Sequence, residues 1–421
     1  MKPHRPVYAL GGAHTPFIGK FHPDFIWKGH PDFGKRQNPN LEQHLTRAVR
    51  DALEATRVPA EAIEKGVVGN FVAECFVQQG HLGALAARID PAFRGKPFHR
   101  VEGACASGGL AVLAAVEAIQ AGYDVVLATG VEVQTTVNAK DGADYLARAA
   151  HYPSERGIDP FTFPCLFARR TKIAREHLGV TEADQARVVA KAYANAAKNP
   201  FAHMRTVSMP FEKAAKASDQ NPLFLEHAEY REFLKVSDCS QVSDGASALL
   251  LVSEAGLRKV GRRGAAGATE LLGWGHACGP LGQVDDLTEL GITRLAATEA
   301  YRDADVKPAE VGVAEVHDCF SVTEILMYEA LGFAKKGQGA ALARDGSTTL
   351  TGRIPVNTGG GLMAFGHPVG ATGVKQVIEL QRQLTGHAGD YQVAAHPTVG
   401  LAANMGGDDR TSVVTIWRRA E

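Results

Sequence analysis

The sequence predicts an α/β protein built from two related halves, and three observations lead there. Short apolar runs, among them Val7-Tyr8-Ala9-Leu10, Val125-Val126-Leu127-Ala128 and Ala248-Leu249-Leu250-Leu251-Val252, alternate with segments of helical spacing. The later two runs are continuous rather than alternating, the pattern of strands buried on both faces, so helices must cover both sides of a mostly parallel sheet. Finally, a bend carrying Cys105 and a bend carrying His367 each precede two glycines, a helix and a further apolar run. At 421 residues the chain exceeds one ordinary core and suits two or three domains.

Val7 to Gly12 reads as a short strand ending at glycines. Asn40 caps a helix whose apolar positions Leu41, Leu45, Ala48, Ala52 and Leu53 share a face, and Gly66 to Phe71 gives another strand. After Cys105, Leu110 to Val116 is too long and alanine-rich for a strand and reads as a helix leading to the strand Val125 to Ala128. From about Thr135 to Lys235, prolines, histidines, aromatic residues and charge replace the Val/Ala/Gly rhythm, which predicts an insertion. Within it Thr181 and Asp184 open a helix carrying Val189, Ala192, Tyr193 and Ala196, which Asn199-Pro200 ends. The sheet pattern resumes at Asp244-Gly245-Ala246, and Arg262-Arg263-Gly264 links to a second βα-rich half. The chain thus divides into a first half over 1–134, an insertion over 135–235, completion of the first half over 236–263, and a second half over 264–421. In that half Val313 to Val316 reads as a strand, Val322 to Leu331 and Val374 to Leu384 as helices, and Val393-Ala394-Ala395 as the run that echoes Val125 to Ala128.

Lys plus Arg number 45 against 46 acidic residues, so no basic field exists for non-specific nucleic-acid binding. The six cysteines are scattered without a Cys-x-x-Cys pair, which argues against a disulfide framework or zinc ribbon and for a reducing compartment. No signal-peptide pattern, no run near eighteen apolar residues and no C-terminal peroxisomal tripeptide is present, so a cytoplasmic location without a membrane span is expected.

Three segments carry chemistry. In Gly103-Ala104-Cys105-Ala106-Ser107-Gly108-Gly109 a cysteine sits among small residues at a helix start, where the helix dipole and free N–H groups favour a thiolate and serve an oxyanion. Taken alone, the same residues suit a small buried cysteine in a tight turn. His317-Asp318-Cys319-Phe320 lies at a strand-to-helix bend, where functional side chains gather in α/β folds; a metal site there lacks a fourth partner at zinc spacing. In Gly366-His367-Pro368-Val369-Gly370-Ala371-Thr372-Gly373 a neutral imidazole N–H can donate to an enolate or carbonyl oxygen. Asn357-Thr358-Gly359-Gly360-Gly361 hints at a phosphate loop but lacks the following Gly-Lys-Ser/Thr.

Together these segments resemble the thiolase family, and specifically its sterol-carrier-protein-type (lipid-transfer) branch, over nearly the whole chain. Thr15-Pro16-Phe17, Gly130-Val131-Glu132, Asn199-Pro200-Phe201-Ala202, Asp238-Cys239-Ser240 and Ser243-Asp244-Gly245-Ala246 add to the match. The resemblance implies two pseudo-symmetric βαβαβαββ halves in an α/β/α/β/α layering, with an inserted loop domain that covers the site and grips coenzyme A. It implies Cys105 as the acyl-accepting nucleophile, with the N–H groups of Cys105 and Gly406 forming one oxyanion hole. His367 and His317 would form a second around the thioester oxygen of the acetyl-CoA enolate, Cys319 would move the α-proton, and Ser240 and Phe320 would contact the coenzyme. The commoner thiolases place their acid/base cysteine late in the chain, in Cys-x-Gly; here that position is Asn404, and an amide cannot deprotonate a carbon acid. In the sterol-carrier-type branch Cys319 takes over that work.

The activity implied is thiolytic cleavage of 3-oxoacyl-CoA, or the reverse Claisen condensation, with coenzyme A as substrate and no resident cofactor or metal. A homodimer or homotetramer is implied as well. Two alternatives are an acyltransferase or carbon–carbon lyase working with a small zinc-ribbon/OB-fold partner, and a non-catalytic acyl-CoA or lipid carrier.

Overall fold

The computed structural model describes residues 3–421. Its strands are β1 (Val7–His14), β2 (Lys65–Gly69), β3 (Phe98–Val101), β4 (Val125–Glu132) and β5 (Gly245–Ser253), then β6 (Thr269–Cys278), β7 (Val313–Glu315), β8 (Val399–Gly406) and β9 (Thr411–Arg419). They lie in the order β3-β2-β4-β5-β1-β6-β9-β8-β7. In the first half β2 runs parallel to β3 and β4, while β5 is antiparallel to β4 and β1. The second half repeats this: β7 is parallel to β8, and β9 is antiparallel to β8 and β6. A parallel bridge from Ala314 to Val356 stands where β3 stands in the first half, and the halves join through β1 and β6 at Tyr8–Glu270 and Ala9–Thr269.

Helix composition separates outer from inner layers. The outer helix α1 (Leu41–Thr56) begins at an Asn40–Gln43 capping box and buries Leu41, Leu45, Ala48, Val49 and Ala52, leaving charged residues such as Glu42, Arg50 and Glu54 outward. By contrast α2 (Ser107–Gln120) is apolar nearly all round, as a fully buried helix must be. Between β4 and β5 come α3 (Thr162–His177) and α4 (Glu182–Ala196), the latter with its Thr181–Asp184 capping box. In the second half α5 (Gly291–Ala304) covers β6 and β9, α6 (Ser321–Ala330) follows β7, and α7 (Val369–Thr385) is almost wholly buried. Helices α2 and α7 pack on each other and each touches strands of both halves, which makes them the central layer.

Glycines set how closely those two helices approach. A Cβ at Gly108 would lie 2.6 Å from Gly373 N, and one at Gly130 2.0 Å from Gly370 O. The glycines after Cys105 and after His367 therefore let the two helix starts meet. The segment between β4 and β5 does not stand apart: its Phe167, Val189 and Ala192 share one apolar core with Ile325 and Leu326 of α6. Among the described residues no helix is long and apolar enough to cross a membrane.

Three sequence expectations need correction. The sheet is mixed rather than mostly parallel, with three parallel and five antiparallel pairings among the described residues, because β1, β5, β6 and β9 all pair antiparallel, and a continuous apolar run marks burial on both faces without fixing strand direction. Val393-Ala394-Ala395 forms a turn, not a strand, because the Gln383 side chain binds Val393 N, Gln392 Nε2 and Tyr391 O; the strand is β8, six residues further on. Strand β2 ends at Gly69 instead of Phe71, because Phe71 N and Val72 N turn to the Glu132 carboxylate at 2.9 and 3.2 Å.

Candidate active site

The β3-to-α2 connection turns sharply at Gly103 and at Ala104, whose φ of +51° is unusual for a residue with a Cβ. That turn presents Cys105 half-buried beneath a cavity of about 450 Å³, which Cys319 and His367 also line. The two sulfurs, 214 positions apart in the chain, therefore face one space. Desolvation pushes the Cys105 thiol up to about 12, even though its own N–H and that of Gly407 point at the sulfur. Burial here opposes the thiolate that the helix start and these N–H groups favour. Gly406, the predicted oxyanion-hole residue, ends β8 and packs on the Cys105 turn, where a Cβ would lie 2.2 Å from Gly103 O. The amide that reaches the sulfur belongs to its neighbour, Gly407.

Cys319 is buried, its sulfur 3.8 Å from Thr323 Oγ1, and its pKa is raised first by desolvation and next by charge on Cys105. Each thiolate thus disfavours the other. The loop carrying Cys319 is held from both sides. Ser240 N donates to Cys319 O at 2.8 Å, and Phe320 stacks on Phe167 with ring centroids 4.4 Å apart. Asp318 Oδ1 accepts from Leu362 N at 2.7 Å, which shows Asn357-Thr358-Gly359-Gly360-Gly361 to be a brace rather than a phosphate cradle. There Asn357 Oδ1 accepts from Val316 N, and a Cβ at Gly361 would lie 2.1 Å from Asp318 Oδ2.

His317 and His367 meet edge to face with ring centroids 5.1 Å apart. Burial lowers both: His367 to about 3, and His317 well below the ordinary imidazole value, with His367's charge adding to the effect. Both are neutral near pH 7, and both Nε2 atoms are buried without a protein partner. One ring nitrogen of each histidine and Cys105 Sγ lie within 4.8 Å of one another. Ser243 Oγ accepts from His367 N at 3.2 Å, and Gln134 Nε2 donates to His367 O at 2.8 Å, so the Ser243-Asp244 motif fixes the histidine's backbone. Glu132 reaches the same helix start, accepting from Gly370 N at 3.1 Å.

Two features escaped sequence reading. The cavity wall is aromatic: Phe25, Phe71 and Phe76 come from the first half, Phe161, Phe163 and Phe167 from the β4–β5 segment. Asn404, which sequence reading treats only as the site of a lost thiol, bonds to Gly109, Cys105 and His317 at once. No short motif signals either, because each is assembled from distant segments.

The family models "Thiolase, N-terminal domain" and "Thiolase C-terminal domain-like" match residues 32–255 and 273–419. The chain belongs to the thiolase family. It is 34% identical over 395 residues to an acetyl-CoA acetyltransferase of Methanothermobacter thermautotrophicus, covering 92% of this chain and 96% of that one. It is 31% identical to sterol carrier protein 2 of Rattus norvegicus, over 91% of this chain and 68% of that protein. Among solved structures, the Ltp2-ChsH2(DUF35) aldolase aligns with a TM-score of 0.77 at 21% identity, over 100% of this chain and 99% of that one. Human mitochondrial 3-ketoacyl-CoA thiolase in complex with CoA aligns at 0.70 and 16%, over 100% of both chains. This thiolase is accordingly an acyltransferase, with the fold that the sequence predicts.

Proposed function

We propose that this thiolase cleaves 3-oxoacyl-CoA with coenzyme A through an acyl-Cys105 intermediate, with Cys319 as its acid/base. One observation carries the reading: two thiols from opposite halves share a cavity with His367, against whose ring His317 packs edge to face, and the Nε2 atoms of both histidines are buried and unpartnered. Cys105 Sγ attacks the C3 carbonyl and its proton passes to His367 Nε2. The N–H groups directed at the sulfur receive the developing oxyanion. The C2–C3 bond breaks, its electron pair forms the enolate of acetyl-CoA, and His317 Nε2–H steadies that oxygen. Cys319 protonates C2. Its thiolate then takes the proton of incoming coenzyme A, whose sulfur attacks acyl-Cys105. The displaced Cys105 thiolate recovers its proton from His367.

Reading the same steps backwards gives the Claisen condensation. The phenylalanine-lined cavity suits an apolar acyl chain, and coenzyme A is a substrate rather than a resident group. A cytoplasmic location and self-association as a dimer or tetramer belong to the same reading; β3 is the edge strand of the sheet, where strand pairing between copies would form.

A panel of 3-oxoacyl-CoA substrates, assayed with and without coenzyme A, tests the proposal. Thioester formation that requires coenzyme A supports it. Carbon–carbon cleavage without coenzyme A, only in the presence of a co-purifying small protein, would instead establish the lyase reading that the aldolase likeness favours.

A further inference from the structure

Asn404 occupies a position whose hydrogen bonds leave it no freedom. Its Oδ1 accepts from Gly109 N at 2.8 Å, while Nδ2 lies 3.1 Å from Cys105 O and 3.1 Å from His317 Nδ1. Rotating the amide by half a turn would set NH₂ against the Gly109 N–H and oxygen against the Cys105 carbonyl, so two backbone groups fix its orientation. The second Nδ2 proton then meets His317 Nδ1, which must accept. A neutral imidazole carries a single proton, so that of His317 is on Nε2. The pocket for this amide is built: a Cβ at Gly373 would lie 2.3 Å from Asn404 Oδ1, and one at Gly109 2.8 Å.

His367 is held differently. Its Nδ1 lies 2.6 Å from Thr372 Oγ1, and that hydroxyl is also 3.1 Å from Pro368 O. With its one proton directed at Pro368 O, that hydroxyl accepts from His367 Nδ1–H, which leaves the His367 Nε2 lone pair open to take up a proton.

We infer that Asn404 is a positioning residue that holds His317 as a permanent Nε2–H donor, and thereby keeps the Cys105–His317–His367 trio an oxyanion site instead of a site for a thiophilic divalent cation. The three ligand atoms stand close enough to gather on zinc after modest contraction, and thiolate plus imidazole is the donor set zinc prefers. A metal needs the Nε2 lone pair, however, and the locked tautomer withholds it. The use of that donor in catalysis rests on the thiolase reading; the tautomer and the metal exclusion do not.

Two-bond ¹H–¹⁵N correlation spectra of histidine-labelled protein, with His317 assigned through His317→Gln, test the lock directly. The expected result is the Nε2–H tautomer in the parent and Nδ1–H in Asn404→Asp, whose carboxylate can only accept. Titration with Co²⁺ alone should show thiolate-to-cobalt absorption about 10–100-fold tighter in Asn404→Asp than in the parent, lost when Cys105→Ala is added. Thiolysis by Asn404→Asp should fall about 10²–10³-fold in kcat with KM little changed. If Asn404→Asp does not fold, Asn404→Ala serves, with mixed His317 tautomers expected. A parent spectrum showing Nδ1–H, or parent protein binding Co²⁺ as tightly as the variants, overturns the inference. A correct tautomer with no thiolysis in any variant or in the parent would instead defeat the functional reading.

Discussion

The two histidines of the site are near twins in setting and opposites in support. Both are buried, both are neutral, and each has a buried Nε2 without a protein partner. His317 leans on an amide NH₂ that donates to it; His367 leans on a hydroxyl that donates to Pro368 O and accepts from the ring. The contrast teaches how chemically identical side chains are given separate work. In the proposed mechanism one is a fixed donor for an oxyanion, and the other takes up and returns the nucleophile's proton. The two thiols repeat the lesson, since burial raises the pKa of both, while of the two only Cys105 has N–H groups directed at its sulfur.

The sharpest break in this division is Cys105→Ala, which removes the covalent route; thiolysis should fall to background while the protein still binds acyl-CoA, checked by calorimetry. Cys319→Ala should slow both formation and discharge of the acyl-enzyme, and lose about 10²–10⁴-fold in turnover, the usual worth of acid–base help. Single-turnover kinetics that find Cys319→Ala as fast as the parent would remove it from the mechanism.

Thr372→Val keeps the shape of the His367 partner but deletes its hydroxyl. About a tenfold loss in kcat is expected, from one net hydrogen bond of about 1.4 kcal/mol, with the His317 tautomer unchanged. Loss of the Nε2–H form at His317 as well would show that the two supports are not separate.

The mildest effect concerns Glu132, which burial raises to about 7 despite N–H donors from Phe71, Val72 and Gly370. A carboxyl whose folded pKa is raised contributes stability that is fully present below its unfolded value. That contribution is lost as pH rises through about 7. Thermal melts between pH 5 and 8 should therefore show a decline that flattens in Glu132→Gln.

Much of this was legible in the chain. Local signals placed α1 at Asn40, α4 at Thr181 and the buried strands β4 and β5, because caps and apolar runs are written in neighbouring residues. Cys105, His317, Cys319 and His367 stood out because each sits at a strand-to-helix bend or a helix start. What stayed hidden depends on partners far apart in sequence. Asn404 gains its role from Gly109, Cys105 and His317, and the cavity's aromatic wall from segments that meet only after folding. The turn at Val393 was misread because Gln383, a helix residue, supplies its bonds.

The most direct test is intact-protein and peptide mass spectrometry after brief mixing with 3-oxoacyl-CoA in the absence of free coenzyme A. The account expects a mass gain equal to the shortened acyl group, on Cys105 alone, discharged within a turnover when coenzyme A is added. Acyl label on Cys319, or on Cys105→Ala protein, would contradict it.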